Sequence, residues 1–183
     1  MPTFVSNLPV HVLVVHAVVV LVPLAVLGAV VVALWPAARR RYGWLVVVVA
    51  AVATVSIPVA TSSGEGLEHQ LPRTALLQAH TRLGDDLLVY VAGMLVVLVA
   101  FMAIHQRASV LARREGPGTM TAPVALTGPV RIVAGVLAAL TVVLAVVSAV
   151  QVYRIGDSGA RAAWADKQYV TQPYAPRPGG DEG

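Results

Sequence analysis

The side chains best suited to chemistry in this sequence are its histidines and the carboxylates that lie near them. Four of the five histidines are His11, His16, His69 and His80. Glu65 lies four residues before His69, so the two side chains can share one face of a helix. Neutral imidazoles and carboxylates are ligands for iron, copper, zinc and nickel. Two histidines on different helices can also bind the iron of a haem.

Other kinds of site are excluded or disfavoured by the composition. The chain has no cysteine, which excludes disulfides, thiolate metal sites, iron–sulfur clusters and covalently attached c-type haem. Any haem would therefore be b-type. The sequence has no nucleophile–base constellation and no phosphate-binding glycine loop, which favours a protein that is not an enzyme. The formal charge of +4 does not indicate a nucleic-acid partner, because the basic residues form no single patch.

The elements that must position these residues are four long apolar runs. The chain is 57% hydrophobic and 12% charged, whereas globular domains are roughly 25% charged. The first run, Leu8–Trp35, would be ~42 Å long as a helix, which exceeds the ~30 Å hydrocarbon core of a bilayer. We therefore predict an all-α integral membrane protein, an antiparallel bundle of four transmembrane helices. The predicted transmembrane domain covers residues 1–160, with helices at about residues 8–35, 44–62, 75–105 and 131–153. Residues 161–183 are predicted to form an external, mostly disordered tail.

The arginines segregate by connection and predict the orientation. The first and third connections carry seven of the thirteen basic residues and only one of the nine acids, Glu115. Because positively charged loops stay in the cytoplasm, both termini should lie outside a bacterial plasma membrane. The run Arg39–Arg41 is interpreted as a topology determinant that contacts lipid headgroups.

Counting along the helices predicts a polar layer at the outer boundary. In each predicted helix, about twenty residues, or ~30 Å, separate the cytoplasmic end from a polar residue near the outer end. His11, His69 and His80 fall about one turn further out. The layer is either a cofactor or metal site or a hydrogen-bonded network that joins the helix ends.

Three functions follow from this layer. The first is a b-type haem in an electron-transfer role, with His80 and either His11 or His16 as axial ligands. The second is a transition-metal site, whose ligand set is His11, His16, Glu65, His69 and His80. The third is a structural or accessory subunit of a membrane complex, without any cofactor. The expected partners are the lipid bilayer, an external electron carrier or a membrane complex.

Several short motifs resemble an uncharacterised bacterial family of predicted four-helix membrane proteins, known only as a domain of unknown function. The motifs are His11-x-x-x-x-His16, Ser63-Gly64-Glu65, His80 with Gly84, and the segment 152–156. The resemblance covers roughly residues 8–160. The sequence departs from the pattern at Val12, where proline is frequent, and at Ala17, where an aromatic residue is common. The resemblance implies a four-helix membrane unit similar in arrangement to small b-type cytochromes, and implies no established activity.

Overall fold

The computed structural model describes residues 4–5, 8–68, 75–114, 126 and 128–164. Side chains are described within residues 14–64, 78–111, 126 and 128–161. Four helices follow one another: α1 (Val10–Leu34), α2 (Pro36–Glu68), α3 (Ala75–Arg114) and α4 (Gly128–Trp164). Before α1, the two-residue strands β1 (Phe4–Val5) and β2 (Leu8–Pro9) pair in antiparallel register, with Phe4 opposite Pro9.

Each helix contains a segment that is long and apolar enough to cross a membrane. Within the described residues these segments are Val14–Leu34, Pro36–Gly64, Gln78–Leu111 and Gly128–Arg161. The shortest has 21 residues, or ~32 Å of helix, which matches a bilayer core of about 30 Å. Valine is a poor helix former in water, but in lipid every backbone group must be bonded within the chain. These valine-rich runs are therefore helical, and the predicted all-α membrane bundle is confirmed.

The helices form a closed ring in which each contacts the next and α4 contacts α1. The most extensive pairs are α1 with α2 and α3 with α4. Small residues allow the first pair to approach closely, since Ala25 and Ala29 of α1 and Ala50 and Ala53 of α2 are fully buried. The opposite side of the core is filled by larger side chains of α3, including Phe101. Close packing of small residues is the usual means of helix association in lipid.

The helices extend further than the apolar runs. Helix α2 begins at Pro36, eight residues before the predicted start, and only Trp35 separates it from α1. Proline suits the first helical position because the N–H group that it lacks would have no helical acceptor there. Arg39 therefore belongs to the first turn of α2, and its backbone N–H donates to the carbonyl of Trp35 at 3.0 Å. At the other end α2 continues through Pro58 to Glu68.

Helices α3 and α4 are also longer than predicted. Helix α3 reaches Arg114, and α4 begins at Gly128 and reaches Trp164. Of the predicted external tail, residues 161–164 are helical and the remainder lies outside the described residues. The bundle has two ends. The Pro36 end contains Arg39, His105 and Arg131, and the His80 end contains Gly64, His80 and Gln151.

Candidate functional site

His80 faces the neighbouring helix α4 at the His80 end. It lies seven residues, or two turns, before the buried Leu87, and so occupies the inward face of α3. Its ring is half-buried, and Nδ1 lies 3.0 Å from the hydroxyl oxygen of Ser158. That hydroxyl donates its hydrogen to the carbonyl of Ile155 at 2.9 Å. Because a serine hydroxyl has one hydrogen, it must accept from His80, so Nδ1 carries a proton.

The backbone of α4 lies directly against this ring. A Cβ atom at Gly159 would come within 3.0 Å of His80 Cε1 and 3.4 Å of Nδ1. The first distance is shorter than an ordinary van der Waals contact, and the second is at its lower limit. A glycine at this position therefore lets the imidazole approach the backbone of α4 closely.

A second polar contact joins the same two helices. Gln151 is buried on α4, and its Nε2 donates to the carbonyl of Leu83 at 2.9 Å. Two other buried polar residues, Thr141 and Ser148, precede Gln151 on α4. The hydroxyl of Thr141 donates to Leu137 at 2.8 Å, whereas that of Ser148 has no hydrogen-bond partner among the described residues. Two hydrogen bonds therefore join α3 to α4 at the His80 end.

The two histidines of α1 lie on different faces. His16 lies two residues before the buried Val18, about 200° around the helix, and its side chain is exposed. His11 lies seven residues before Val18, on the face that carries the buried Val22. The side chain of His11 lies outside the described part of the structure.

The predicted metal ligands are only partly described. Glu65 belongs to α2, but its side chain is outside the described residues, as is all of His69. Among the residues that the structure does describe, no three histidine or acidic side chains form a group that could hold a metal ion. Asp157 instead pairs with Arg161 at 3.0 Å. The metal set therefore stays a prediction.

An open groove of about 370 Å³ lies between α1 and α2. Its lining consists of Val14, Ala51, Val52, Val55, Ser56 and Val59. The single hydroxyl, on Ser56, donates to the carbonyl of Val52 at 2.8 Å. The groove therefore suits hydrocarbon chains and offers no donor to a polar substrate.

A second cluster of functional groups lies at the Pro36 end and was not predicted. The guanidinium carbon of Arg39 lies 4.9 Å from the centre of the Phe101 ring. The ring of His105 meets the same phenyl group edge-on, with 4.5 Å between the ring centres. Trp44 Nε1 donates to the side-chain oxygen of Gln106 at 2.6 Å. The only sequence signal for this cluster was the set of arginines and aromatic residues at the predicted helix ends.

The model of the predicted membrane protein family DUF2231 matches residues 7–172. The chain belongs to this family. Neither the curated proteins nor the solved structures gave a match. The four apolar helices of this DUF2231 protein agree with the membrane location that the family description states.

Proposed function

We propose that the His80 end of this DUF2231 protein binds one b-type haem and exchanges electrons with an external carrier or a neighbouring subunit. The observation that carries the proposal is the hydrogen bond from His80 Nδ1 to Ser158. Histidines that bind a metal through one nitrogen usually donate the other N–H to an oxygen acceptor, which fixes the ring and its tautomer. The His80 ring has this arrangement, with Nε2 as the nitrogen that would bind iron.

Helical register favours His11 over His16 as the proposed second axial ligand. Helices α1 and α3 run in the same direction and lie diagonally across the ring. His11 precedes Trp35 by about 24 residues and His80 precedes His105 by about 25, so both lie ~37 Å from the Pro36 end. His11 also shares its helix face with buried core residues, whereas His16 does not. For a haem bound between α1 and α3, His11 is therefore a better second ligand than His16.

A single haem at one end limits the electron-transfer role. The sequence has only one histidine near the Pro36 end, His105, whereas bis-imidazole ligation needs two. This chain alone would therefore not carry electrons across the whole bilayer. The arginine-rich Pro36 end favours a cytoplasmic location, which would direct the haem toward the outside of a plasma membrane. The orientation can be tested with a reporter that is active only in the cytoplasm, fused after Gly183. Activity of this reporter would contradict the orientation.

A structural role is the second candidate, because two hydrogen bonds already join α3 to α4 at this level. In that case the bonds of His80 and Gln151 hold the helix ends together, and the protein serves as an accessory subunit of a membrane complex. Such a protein would be colourless and free of metal. The transition-metal site, with Glu65 and His69 as further ligands, would be colourless if it held zinc, but would contain metal.

The decisive experiment is the visible spectrum of the untagged protein purified in mild detergent. We expect a Soret band and a reduced-minus-oxidised α band. Both should disappear in His80→Ala and His11→Ala, and persist in His16→Ala, which is the matched control. Ser158→Ala should weaken cofactor binding by about 10–100-fold.

Each other outcome rejects a stated part of the proposal. Absence of a Soret band rejects the haem. Elemental analysis then separates a metal site from the structural role. A Soret band that requires His16 but not His11 rejects the ligand assignment.

A further inference from the structure

Arg39 at the Pro36 end has a fixed, half-buried position that its neighbours Arg40 and Arg41 do not share. Its guanidinium lies over Phe101, and Nη1 donates to the last-turn carbonyl of Ala33 in α1 at 3.5 Å, a long and weak bond. Arg40 is exposed, and Arg41 extends over its own neighbour Tyr42, with 5.6 Å to the ring centre. Of the three consecutive arginines, only Arg39 is packed against the bundle.

Among the described residues, the surroundings of Arg39 are basic and contain no carboxylate. Phe101 is almost fully buried, and its carbonyl lies 2.9 Å from Nδ1 of His105. Arg39 and His105 both contact the Phe101 ring. The sequence has no aspartate or glutamate from residue 34 to 64 or from residue 87 to 114. Within the described residues, the one ion pair that the structure contains, Asp157 with Arg161, is at the opposite end.

We propose that Arg39, with His105 beside it, binds the phosphate of an anionic phospholipid in the leaflet at the Pro36 end. A guanidinium has five N–H donors in a planar fork that matches phosphate oxygens. Within the described residues the Arg39 guanidinium makes one hydrogen bond, to Ala33. The stacked Phe101 ring fixes the side chain before binding, so less side-chain entropy is lost when the phosphate binds.

The depth of the site selects a lipid phosphate over a free one. Trp35, Tyr42 and Trp44 lie within five residues of Arg39 in the chain and are exposed, and such aromatic residues mark the headgroup region of a bilayer. The bond from Trp44 to Gln106 also ties α2 to α3 beside the site. A phosphate bound at this level would be the headgroup of a lipid whose chains lie along the helices.

The test compares two neighbouring arginines that carry the same charge. The full-length protein is placed in nanodiscs, and its affinity for phosphatidylglycerol relative to phosphatidylcholine is measured by native mass spectrometry. Loss of one diffuse surface charge costs about fivefold in lipid affinity, which is the effect expected for Arg40→Ala. Arg39→Ala removes both the charge and the oriented fork, so we expect a loss of at least tenfold. Arg39→Lys keeps the charge, and should still bind phosphatidylglycerol more weakly than Arg40→Ala does.

The outcomes separate the lipid site from its alternatives. Equal losses in the Arg39 and Arg40 variants would show diffuse attraction and overturn the proposal, as would equal affinity for the two lipids. Competition by millimolar inorganic phosphate would show a free-phosphate site and overturn the lipid assignment. If Arg39→Ala does not fold, the comparison of Arg39→Lys with Arg40→Ala decides, and a Lys variant of wild-type affinity overturns the role of the guanidinium fork.

Discussion

The contact between Gly28 of α1 and Val46 of α2 gives a sharp test of helix packing. A Cβ atom at Gly28 would lie 2.9 Å from both methyl carbons of Val46. Valine is stiff about χ1 and cannot easily rotate both methyl groups away. Gly28→Ala should therefore push α1 and α2 apart. This overpacking should lower the free energy of unfolding by about 1–3 kcal/mol.

The matched control is Gly135 of α4, where an added Cβ meets nothing within 4 Å. Both substitutions gain about 1 kcal/mol from the better helix propensity of alanine, so this contribution cancels when the two variants are compared. We expect Gly28→Ala to be less stable than Gly135→Ala by about 1–3 kcal/mol. Equilibrium unfolding in detergent micelles measures the difference.

A double-mutant cycle identifies the partner atom. If Val46 causes the clash, Gly28→Ala should become as harmless as Gly135→Ala when it is combined with Val46→Ala. Equal stability of the two glycine variants in the wild-type background would refute the reasoning. So would a Gly28→Ala penalty that persists without the valine methyl groups.

The remaining predictions concern two buried hydroxyl residues and two glycines of α4. Ser148→Ala should leave the free energy of unfolding unchanged or raise it by up to about 1–3 kcal/mol, because it removes a buried hydroxyl that has no described partner. Thr141→Ala loses a satisfied hydrogen bond, so unfolding measurements should not show a comparable gain. Gly159→Ala should displace the His80 ring, and the imidazole ¹⁵N shifts in the NMR spectrum should change. Gly156→Ala, where an added Cβ meets nothing within 4 Å, should leave these shifts unaltered.

The existence of four membrane helices could be predicted from the sequence because length and hydrophobicity suffice for that inference. The helix starts could not, since a helix continues beyond the apolar core into the headgroup region. Arg39–Arg41 therefore resembled a loop although α2 begins at Pro36. Pro58 likewise lies inside α2, which continues to Glu68, in keeping with the tolerance of membrane helices for proline.

The sequence does not indicate which face of each helix is buried, and this was the main obstacle to predicting the site. Helix α1 is apolar on every side, so no stripe in the sequence shows which face is buried. The outward position of His16 became evident only once Val18 and Val22 were known to be buried. The contact between His80 and Ser158 joins residues 78 positions apart, and it depends on the rotation of α3 against α4, which periodicity does not specify.

The single-residue corner at Trp35 has a consequence for biosynthesis. Two spans joined by one residue cannot enter a bilayer independently, so α1 and α2 should insert together as one helical hairpin. A ribosome that adds 5–20 residues per second needs roughly 5–20 s to progress from the end of this hairpin to the end of α4. Helix α3 is complete about midway through that interval, at Arg114, and α4 is complete only at its end. Until α4 is in place, part of the inward side of the hairpin faces lipid or the insertion machinery.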